Sequence, residues 1–336
     1  MVDLWTKGRL HIIETGCVID EELGSVILDM YSKHGCMEEA QQMFDILPMK
    51  DLVAWGTIIS GYATESDGFR ALEMYELMQG EGLKADKSIY SSILKASAKV
   101  ESTMLGFIIH DQVVKKGFHE DLVVGTSLID MYSQCANLEC AQKVFDQLSA
   151  RDVVSWSSLI GGYVQQGQGH EAAKCFEKMQ HDGLSPNSIT FLCVLNACSQ
   201  GGLVEKGQLY FETFITDYGV SPTIEHYNCM VQLLGQFDCL KEAKVMLQTM
   251  TIVTDMCSSW LTLLIACRCF GNIDRGKLCK WGNIELGRYA FERAIQLDEK
   301  DVSVYVCMCN IYVDASMEEE AKAIDAMRLR VEYEAQ

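Results

Sequence analysis

Long apolar runs are missing from this 336-residue chain, and positive charge is in short supply. No apolar run approaches 18 residues, so the sequence predicts no membrane-spanning helix and no membrane partner. Lys and Arg number 28 against 47 Asp and Glu, which gives a formal net charge of −19. An acidic chain exerts no general attraction on phosphates, so any nucleic-acid binding would need a locally neutral or basic surface.

The motifs of common catalytic sites are also missing. None of the 7 His residues begins the H-x-E motif of zinc deaminases, and there is no P-C-x-x-C, G-x-S-x-G, Walker loop or H-E-x-x-H. We therefore assign no catalytic residue, predict no metal or cofactor, and do not expect the chain to be an enzyme by itself. His110 is interpreted as a packing residue on a helix surface.

Cysteine is abundant, at 15 residues, but no C-x-x-C pair occurs. The cysteines are scattered through apolar helical positions such as Cys175, Cys193 and Cys198. This distribution favours reduced core thiols in a reducing compartment over disulfides or zinc ligands. The 17 Met residues are likewise interpreted as core filler.

What the chain does contain is a helical pattern, clearest over 122–187. One apolar stripe at i, i+3, i+4 and i+7 consists of Trp156, Leu159, Ile160 and Tyr163. A second stripe with the same spacing consists of Ala172, Cys175, Phe176 and Met179. Gly183 and Pro186 then end the second helix, because Gly accepts a left-handed cap and Pro cannot continue the helix. The unit is two short helices joined by a tight turn.

This unit repeats along the chain. At an offset of 101 residues, 24 of 66 positions are identical between 122–187 and 21–86. Within the first 101 residues, 21–121, the helix pairs measure 31, 35 and 35 residues, and the pattern then repeats. Neither helix of such a pair buries its stripe alone, so neighbouring pairs must stack. The predicted fold class is all-α: an α-solenoid of about 18 helices in antiparallel pairs, forming a right-handed superhelix with no strand.

Plant pentatricopeptide repeat (PPR) proteins of the PLS subfamily share this alternation of lengths. The segments that carry the resemblance are LIDMYSQCANLECAQKVFD, VVSWSSLIGGYVQQGQGHEAAKCFEKM and LKASAKVESTMLGFIIHDQVVKKGF. The resemblance covers nearly the whole chain. It implies seven repeats over 21–255, of types S, P, L, S, P, L and S, with bounds 21–51, 52–86, 87–121, 122–152, 153–187, 188–223 and 224–255. We expect the first helix to begin about three residues into each repeat.

The flanking segments resemble other parts of such proteins. Residues 1–20 resemble a truncated L-type repeat, and they are neither Arg-rich nor Ser-rich, so no transit peptide is predicted there. Residues 256–301 and 302–336 resemble the two E-type motifs that follow the last repeat. Within the first of them, 271–281 looks like an 11-residue near-duplicate of the residues that follow, which could either extend a helix or loop out.

In the family, the fifth and last residues of a repeat read one RNA base. The resemblance pairs Ser25 with Asp51 and Thr126 with Asp152 for guanine, Ser157 with Asn187 for adenine, and Asn228 with Asp255 for uracil. Ser91 with Asp121 is carried over as a further pair. Gly56 with Asp86 lacks a side chain to read with, and Leu192 with Thr223 does not match a reading pair.

Two further columns predict an RNA-binding face. The second residue of a repeat flanks the base in the family, and four of these seven are β-branched apolar residues: Val53, Val123, Val154 and Ile189. The thirteenth residue, which would face phosphates, is never acidic: Lys33, Thr64, Lys99, Gln134, Gln165, Gln200 and Gln236. With Lys95, these residues predict a neutral to weakly basic inner face, and acids are expected on the second helices. An ordinary polar helix face would also explain the thirteenth column.

The resemblance implies a sequence-specific protein that binds single-stranded RNA. By likeness to PLS proteins with E-type motifs, it would recognise a site for C-to-U editing of an organellar transcript, with a cytidine deaminase supplied in trans at the E-type region. The mitochondrion is slightly preferred to the chloroplast. One alternative is RNA stabilisation or processing without editing. Another is a protein-interaction scaffold of tetratricopeptide type, which the acidic charge favours and the 31/35/35 alternation opposes. A decayed gene copy is a third.

Overall fold

The computed structural model describes residues 21–65, 67–237, 239–249, 257–269 and 276–334. Within these ranges it contains 18 α-helices and no β-strand, which confirms the predicted all-α class and helix number. The helices are α1 (Glu21–Lys33), α2 (Met37–Ile46), α3 (Leu52–Thr64), α4 (Gly68–Gly80), α5 (Lys87–Lys99), α6 (Thr103–Lys115), α7 (Leu122–Gln134), α8 (Leu138–Gln147), α9 (Val153–Gln165), α10 (Gly169–His181), α11 (Ser188–Gly201), α12 (Val204–Thr216), α13 (Ile224–Gln236), α14 (Leu240–Thr249), α15 (Cys257–Cys269), α16 (Gly276–Leu297), α17 (Val302–Asp314) and α18 (Glu318–Glu334). None of the described helices is both long and apolar enough to cross a bilayer.

Each predicted repeat is a helix pair, but its first helix starts earlier than expected. The odd-numbered helices α1 to α13 begin at the first residue of their repeats and not about three residues in, so that expectation was wrong. The reason is capping. The last residue of the preceding repeat is an N-cap, and its side chain accepts a backbone N–H from the first turn, as Asp51 does from Ala54 and Asn187 from Thr190.

First helices pack side by side within two compact units, one ending at Arg151 and the other beginning at Asp152. In the first unit α1, α3, α5 and α7 contact one another in that order. In the second unit the corresponding row is α9, α11, α13, α15 and α17. Each second helix packs against its own first helix, and within a unit most also contact the next first helix. This neighbour-by-neighbour packing is that of a helical solenoid. The handedness of the superhelix stays a prediction.

The apolar stripes form the core between these helices. Leu159, Ile160, Phe176 and Met179 are fully buried, and Trp156 is nearly so. Phe176 makes edge-to-face contacts with the rings of neighbouring helices, as the quadrupoles of aromatic rings favour. The stripes predicted from the sequence are therefore the surfaces that join one helix pair to the next.

Two glycines let a second helix begin directly against the next first helix. A Cβ at Gly169 would lie 2.3 Å from the carbonyl oxygen of Ala197, and one at Gly68 would lie 2.6 Å from that of Ala96. Both distances are too short for any side chain, so only glycine permits this approach. The equivalent contact therefore recurs in both units.

Burial also accounts for the chemistry of the described thiols and of His110. Burial raises the pKa of Cys198 and of Cys267 to about 12, and neither sulfur is bonded to another. These thiols are therefore protonated packing groups at neutral pH, as predicted. The ring of His110 packs on Tyr132 with its Nδ1 2.7 Å from the phenol oxygen, and burial lowers its pKa.

The segments after residue 256 continue the helical architecture. Helices α15 and α16 lie in the predicted 256–301 motif, and α17 and α18 lie in the predicted 302–336 motif. Of the near-duplicate 271–281, residues 276–281 belong to the 22-residue helix α16, and the rest lies outside the described residues. The predictions for 1–20 and for Asp255 also lie outside the described residues.

Candidate nucleic-acid interface

The predicted last-position readers form a series of helix N-caps. In each of those that the structure describes, one side-chain oxygen accepts a backbone N–H at the start of the next first helix. The Oδ1 distances are 2.8 Å for Asp51, 2.9 Å for Asp86, 3.1 and 3.2 Å for Asp121, 2.8 Å for Asp152 and 2.9 Å for Asn187. These hydrogen bonds satisfy helix donors that would otherwise lack partners. Stability alone thus explains part of this column.

The second side-chain atom of most of these caps stays available. Among the described residues, Oδ2 of Asp51, Asp86 and Asp152 has no hydrogen-bond partner, and neither has Nδ2 of Asn187. In Asn187 the partner of Oδ1 is a backbone N–H, which can only donate, so the amide must leave its NH₂ group available. An Asp cap therefore offers a hydrogen-bond acceptor, and an Asn cap offers a donor.

Exposed branched side chains lie two residues beyond four of these caps. Val53, Val123, Val154 and Ile189 are 56–65% exposed on the first turns of their helices. Apolar side chains of this size are usually buried, and a series of them at equivalent positions is an uncovered surface. The structure thus leaves uncovered the residues that were predicted to flank bases. Their role in binding stays a prediction.

In the first unit the predicted elements of one base site surround a cavity. This cavity has a volume of about 520 Å³ and lies against α1, α3 and α5. Its lining includes the second-position residues Val53 and Ser88, the fifth-position residue Gly56 and the cap Asp86. The fold therefore brings together the second, fifth and last positions for the repeat that lacks a fifth-position side chain. A Cβ at Gly56 would meet only a side chain of Ile89 at 3.6 Å.

In the second unit a buried hydroxyl joins the two predicted readers of the fifth repeat. Thr190 Oγ1 lies 2.7 Å from Ser157 Oγ and donates to Asn187 Oδ1 at 2.9 Å. It also accepts the Asn187 backbone N–H at 3.3 Å, and Thr190 is fully buried. Ser157 Oγ additionally contacts the Val153 carbonyl oxygen at 2.6 Å. The fifth and last positions are therefore adjacent here, and one inaccessible side chain orients both.

The third repeat differs because both oxygens of its cap are occupied. Asp121 Oδ1 caps α7, whereas Asp121 Oδ2 lies 2.6 Å from Lys87 Nζ. The hydrogen bond from Lys87 is the main reason why the pKa of Asp121 is lowered. The fifth-position residue of this repeat, Ser91, lies 2.5 Å from Ser127 Oγ.

The remaining reader positions have mixed surroundings. Asn228 Oδ1 accepts a hydrogen bond from the buried Ser259 at 2.6 Å, and its predicted partner lies outside the described residues. Thr223 is hydrogen-bonded to Glu225 and to His226 Nδ1, so its hydroxyl is already engaged. Ser25 is half-buried on α1. Thr126 belongs to the first unit and Asp152 to the second.

The thirteenth column divides into two groups, one engaged in other contacts and one not. Thr64 belongs to the first, because its Oγ1 donates to the Ser60 carbonyl oxygen at 2.8 Å. Lys33 is paired with Asp29 at 2.7 Å, Lys99 donates to the Thr64 carbonyl oxygen at 2.6 Å, and Gln236 accepts from Ser199. These contacts compete with the predicted phosphate-facing role. The other three glutamines are exposed and have no hydrogen-bond partner within the described ranges: Gln134, Gln165 and Gln200.

The charges on the first helices follow the prediction in part. From α3 to α13 the first helices contain three Lys residues, including Lys95, and two acids, Asp130 and Glu225. Most acids lie on second helices and in turns, as expected. Helix α1 departs from this rule because it contains three acids and one lysine. The N-cap carboxylates add further negative charge, so acids outnumber lysines along these helices and their caps. The surface is therefore net negative, and the prediction of a neutral to weakly basic face was wrong.

Several residues that shape this surface were missed. Lys87, Ser127, Thr190 and Ser259 each contact a predicted reader from a neighbouring helix. The repeats contain a signal for two of them. At the third position, helices α9, α11, α13 and α15 of the second unit have buried polar residues, Ser155, Thr190, His226 and Ser259, whereas α17 has Val304 and the first unit has Ala54, Ile89 and Val124. No group of His, Cys, Asp and Glu able to hold a metal occurs in the part of the chain that is described.

Comparison with known proteins gives consistent matches. The model of the "PPR repeat family" matches residues 151–200, and that of the "PPR repeat" matches 25–52, 53–83, 126–153 and 225–251. The chain is 36% identical over 323 residues to pentatricopeptide repeat-containing protein CRR2, chloroplastic, of Arabidopsis thaliana, covering 95% of this chain and 47% of the relative. It is 37% identical to a mitochondrial pentatricopeptide repeat-containing protein of the same plant, covering 90% of this chain and 46% of that one. The chain therefore spans about half the length of these relatives.

Solved structures resemble the fold over its whole length. The crystal structure of the pentatricopeptide repeat protein PPR10 from maize superposes with a TM-score of 0.73 at 17% identity, covering 99% of this chain and 47% of that one. The same protein in complex with an 18-nt psaJ RNA element gives a TM-score of 0.70 and covers 48% of that chain. At this identity the likeness concerns the fold.

Proposed function

Because the chain belongs to the pentatricopeptide repeat family, we propose that it binds single-stranded RNA and reads one base per repeat. The observation that carries the proposal is the series of N-caps, each with one side-chain atom bonded to the helix and most with a second left available. A maize protein of this fold has been crystallised in complex with an RNA element. The family relationship also favours RNA over the tetratricopeptide-type scaffold as the ligand class.

The caps explain how a repeat would choose between bases. Guanine and uracil have a hydrogen on the ring nitrogen of their Watson–Crick edge, whereas adenine and cytosine have a lone pair there. The available Oδ2 of an Asp cap accepts from a ring N–H and repels a ring lone pair. The NH₂ group of Asn187 does the reverse. Asp51, Asp86 and Asp152 should therefore select guanine or uracil, and Asn187 should select adenine or cytosine.

The remaining contacts would complete each site. The fifth residue would choose between the two bases that the cap permits, since Ser157 lies close enough to Asn187 to share a base edge with it. The exposed Val53, Val123, Val154 and Ile189 would cover the faces of the bases. Because few charges line the first helices, affinity would come mainly from stacking and hydrogen bonds, and its dependence on salt would be shallow.

The finer function proposed is recognition of an editing site in an organellar transcript. Support comes from the alternating repeat lengths of the PLS type and from the E-type likeness of 256–336, where α15–α18 continue the helical stack. A cytidine deaminase supplied in trans would act at that end. The relatives' names divide between chloroplast and mitochondrion, so they favour an organelle without favouring the mitochondrion. Sequencing the transcripts of a plant that lacks the protein tests this: loss of conversion at individual cytidines supports editing, and loss of whole transcripts supports stabilisation.

Fluorescence anisotropy tests RNA binding itself. The probe is a labelled RNA pool with a randomised 12-nucleotide window, offered single-stranded or as a duplex with its complement. We expect binding to the single strands only, and a small decrease in affinity between 50 and 200 mM salt. Ile189→Ser should weaken binding, whereas Leu209→Ser, at a residue equally exposed on a second helix, should not. Equal binding of both RNA forms, or equal effects of both variants, would count against the proposal.

A further inference from the structure

The cap at the end of the third repeat is unlike the other described Asp caps. Asp51, Asp86 and Asp152 each bond a helix through Oδ1 and leave Oδ2 without a partner within the described ranges, whereas Asp121 has Lys87 Nζ at 2.6 Å from its Oδ2. The side chain of Asp121 is only 20% exposed. A base approaching this repeat would therefore not find an available carboxylate oxygen.

Lys87 is held in this position by its neighbours. It is the first residue of α5, and its ammonium group lies 5.8 Å from the centre of the Phe118 ring, at the far end of the same repeat. The two contacts together direct the side chain toward Asp121. No other repeat has a basic residue at this position: the equivalents are Glu21, Leu52, Leu122, Val153, Ser188 and Ile224. The arrangement is therefore a property of the third repeat and not of the fold.

We propose that Lys87 is a specificity-determining residue, which makes the third repeat present an N–H donor where other Asp-capped repeats present an acceptor. An ammonium group has three donors, and one is used by Asp121. The remaining donors favour a base with a ring lone pair, adenine or cytosine. Guanine or uracil would have to displace the ammonium before its ring N–H could reach Asp121. This inference rests on the proposed RNA binding.

The alternative is that RNA displaces Lys87 at little cost. Exposed ion pairs contribute little free energy, so pairing alone would not exclude guanine. The inference therefore requires that Lys87 itself contacts the base as a hydrogen-bond donor, and not only that it blocks access to Asp121. A lysine that merely screened Asp121 would weaken the preference for guanine and uracil, whereas one that replaces it as the contacting group would reverse the preference. The two cases differ in the base that is selected.

The test is selection from the randomised single-stranded pool by the wild-type chain, by Lys87→Met and by Lys95→Met. Lys87→Met keeps the length and packing of the stem but removes the charge. Lys95→Met removes the same charge from the same helix, at an exposed residue with no ion pair to Asp121. At one position of the selected RNA, Lys87→Met should raise the ratio of guanine plus uracil to adenine plus cytosine by about fivefold or more. Lys95→Met should lower affinity for all sequences without changing that ratio.

The outcomes separate the two levels of the proposal. Two results would overturn the role of Lys87 while leaving base reading by the other repeats intact. In the first, the wild-type chain selects bases, but Lys87→Met changes the preference at no position of the RNA. In the second, the wild-type chain already prefers guanine or uracil at the nucleotide that the third repeat contacts. If the wild-type chain binds no single-stranded RNA, both levels fail. Asp121→Asn provides an independent variant, since it keeps the cap and replaces Oδ2 by a donor. It should retain the preference for adenine or cytosine, and a switch to guanine or uracil would contradict the inference.

Discussion

Replacing Asn187 by Asp changes one atom of a predicted reader while preserving its structural role. In both residues Oδ1 can accept the Thr190 backbone N–H, which lies at 2.9 Å. Asn and Asp are equally good N-caps, so we expect the free energy of unfolding to change by less than about 0.5 kcal/mol. The atom that changes is the one left available, from the donor Nδ2 to the acceptor Oδ2.

The expected effect is a reversal of preference at one nucleotide. A specific base contact is worth about 1–3 kcal/mol. Losing the contact to adenine and gaining one to guanine should therefore shift the adenine-to-guanine preference by at least about 2 kcal/mol, or about 30-fold in relative affinity. The lower end applies because Asn187 is exposed at the edge of its helix.

The assay is anisotropy with four RNAs that differ only at the nucleotide that the fifth repeat selects. Ser185→Asp is the matched control, because it places the same new charge in the same exposed turn, two residues before the cap. That variant should weaken binding to all four RNAs about equally. If Asn187→Asp behaves in the same way, the interpretation of the caps as readers is refuted.

Three further changes test the site and the packing beneath it. Gly56→Thr should give the second repeat a preference for one base, because a Cβ there would meet its nearest neighbour at an ordinary 3.6 Å; selection from random RNA measures this. Gly169→Ala should reduce the free energy of unfolding by about 1–3 kcal/mol in urea titrations, because its Cβ would lie 2.3 Å from the Ala197 carbonyl oxygen. Burial lowers the pKa of His226, so the unfolded chain takes up a proton near pH 6.5 that the native state resists, and stability should fall as the pH drops below about 6.5.

Each of these three predictions can be contradicted by a specific result. Gly80→Ala is the control for packing, since a Cβ there meets nothing within 4 Å, and it should leave stability unchanged or raise it. Equal losses from both glycine variants would contradict the packing argument. A Gly56→Thr chain that shows no new base preference would contradict the interpretation of the cavity as a base site. A pH dependence below 6.5 that is the same after His226→Gln would exclude His226 as its source.

The repeat architecture could be predicted because it depends on periodicity. Trp156 and Phe176 mark stripes that recur at a fixed offset, and such stripes must be buried by their neighbours. The helix starts were misplaced because burial begins at the third residue, as at Ala54, whereas the helix begins where the N-cap ends. The family resemblance assigns these residues only to base reading, and their capping role follows from the structure. Their side chains can serve both purposes because each has two polar atoms.

For the candidate site, the sequence predicted which positions of each repeat take part but not the contacts that they make. The second, fifth and last positions came from the family resemblance. The structure brings all three together around Gly56, and the fifth and last positions together around Thr190. Lys87 and Thr190 were not found, because each contacts a reader that is more than 30 residues away in the sequence. Such contacts depend on how the helices stack. Comparing the residues at one equivalent position of each repeat gives no information about that stacking.

Selection of single-stranded RNA by the wild-type chain tests the central claim most directly. Positional base frequencies in the bound fraction should follow the caps: guanine or uracil where Asp51, Asp86 and Asp152 leave an oxygen available, and adenine or cytosine where Asn187 leaves its NH₂ group. Bound RNA with no positional preference, or with preferences that do not follow the order of Asp and Asn caps, would contradict the account.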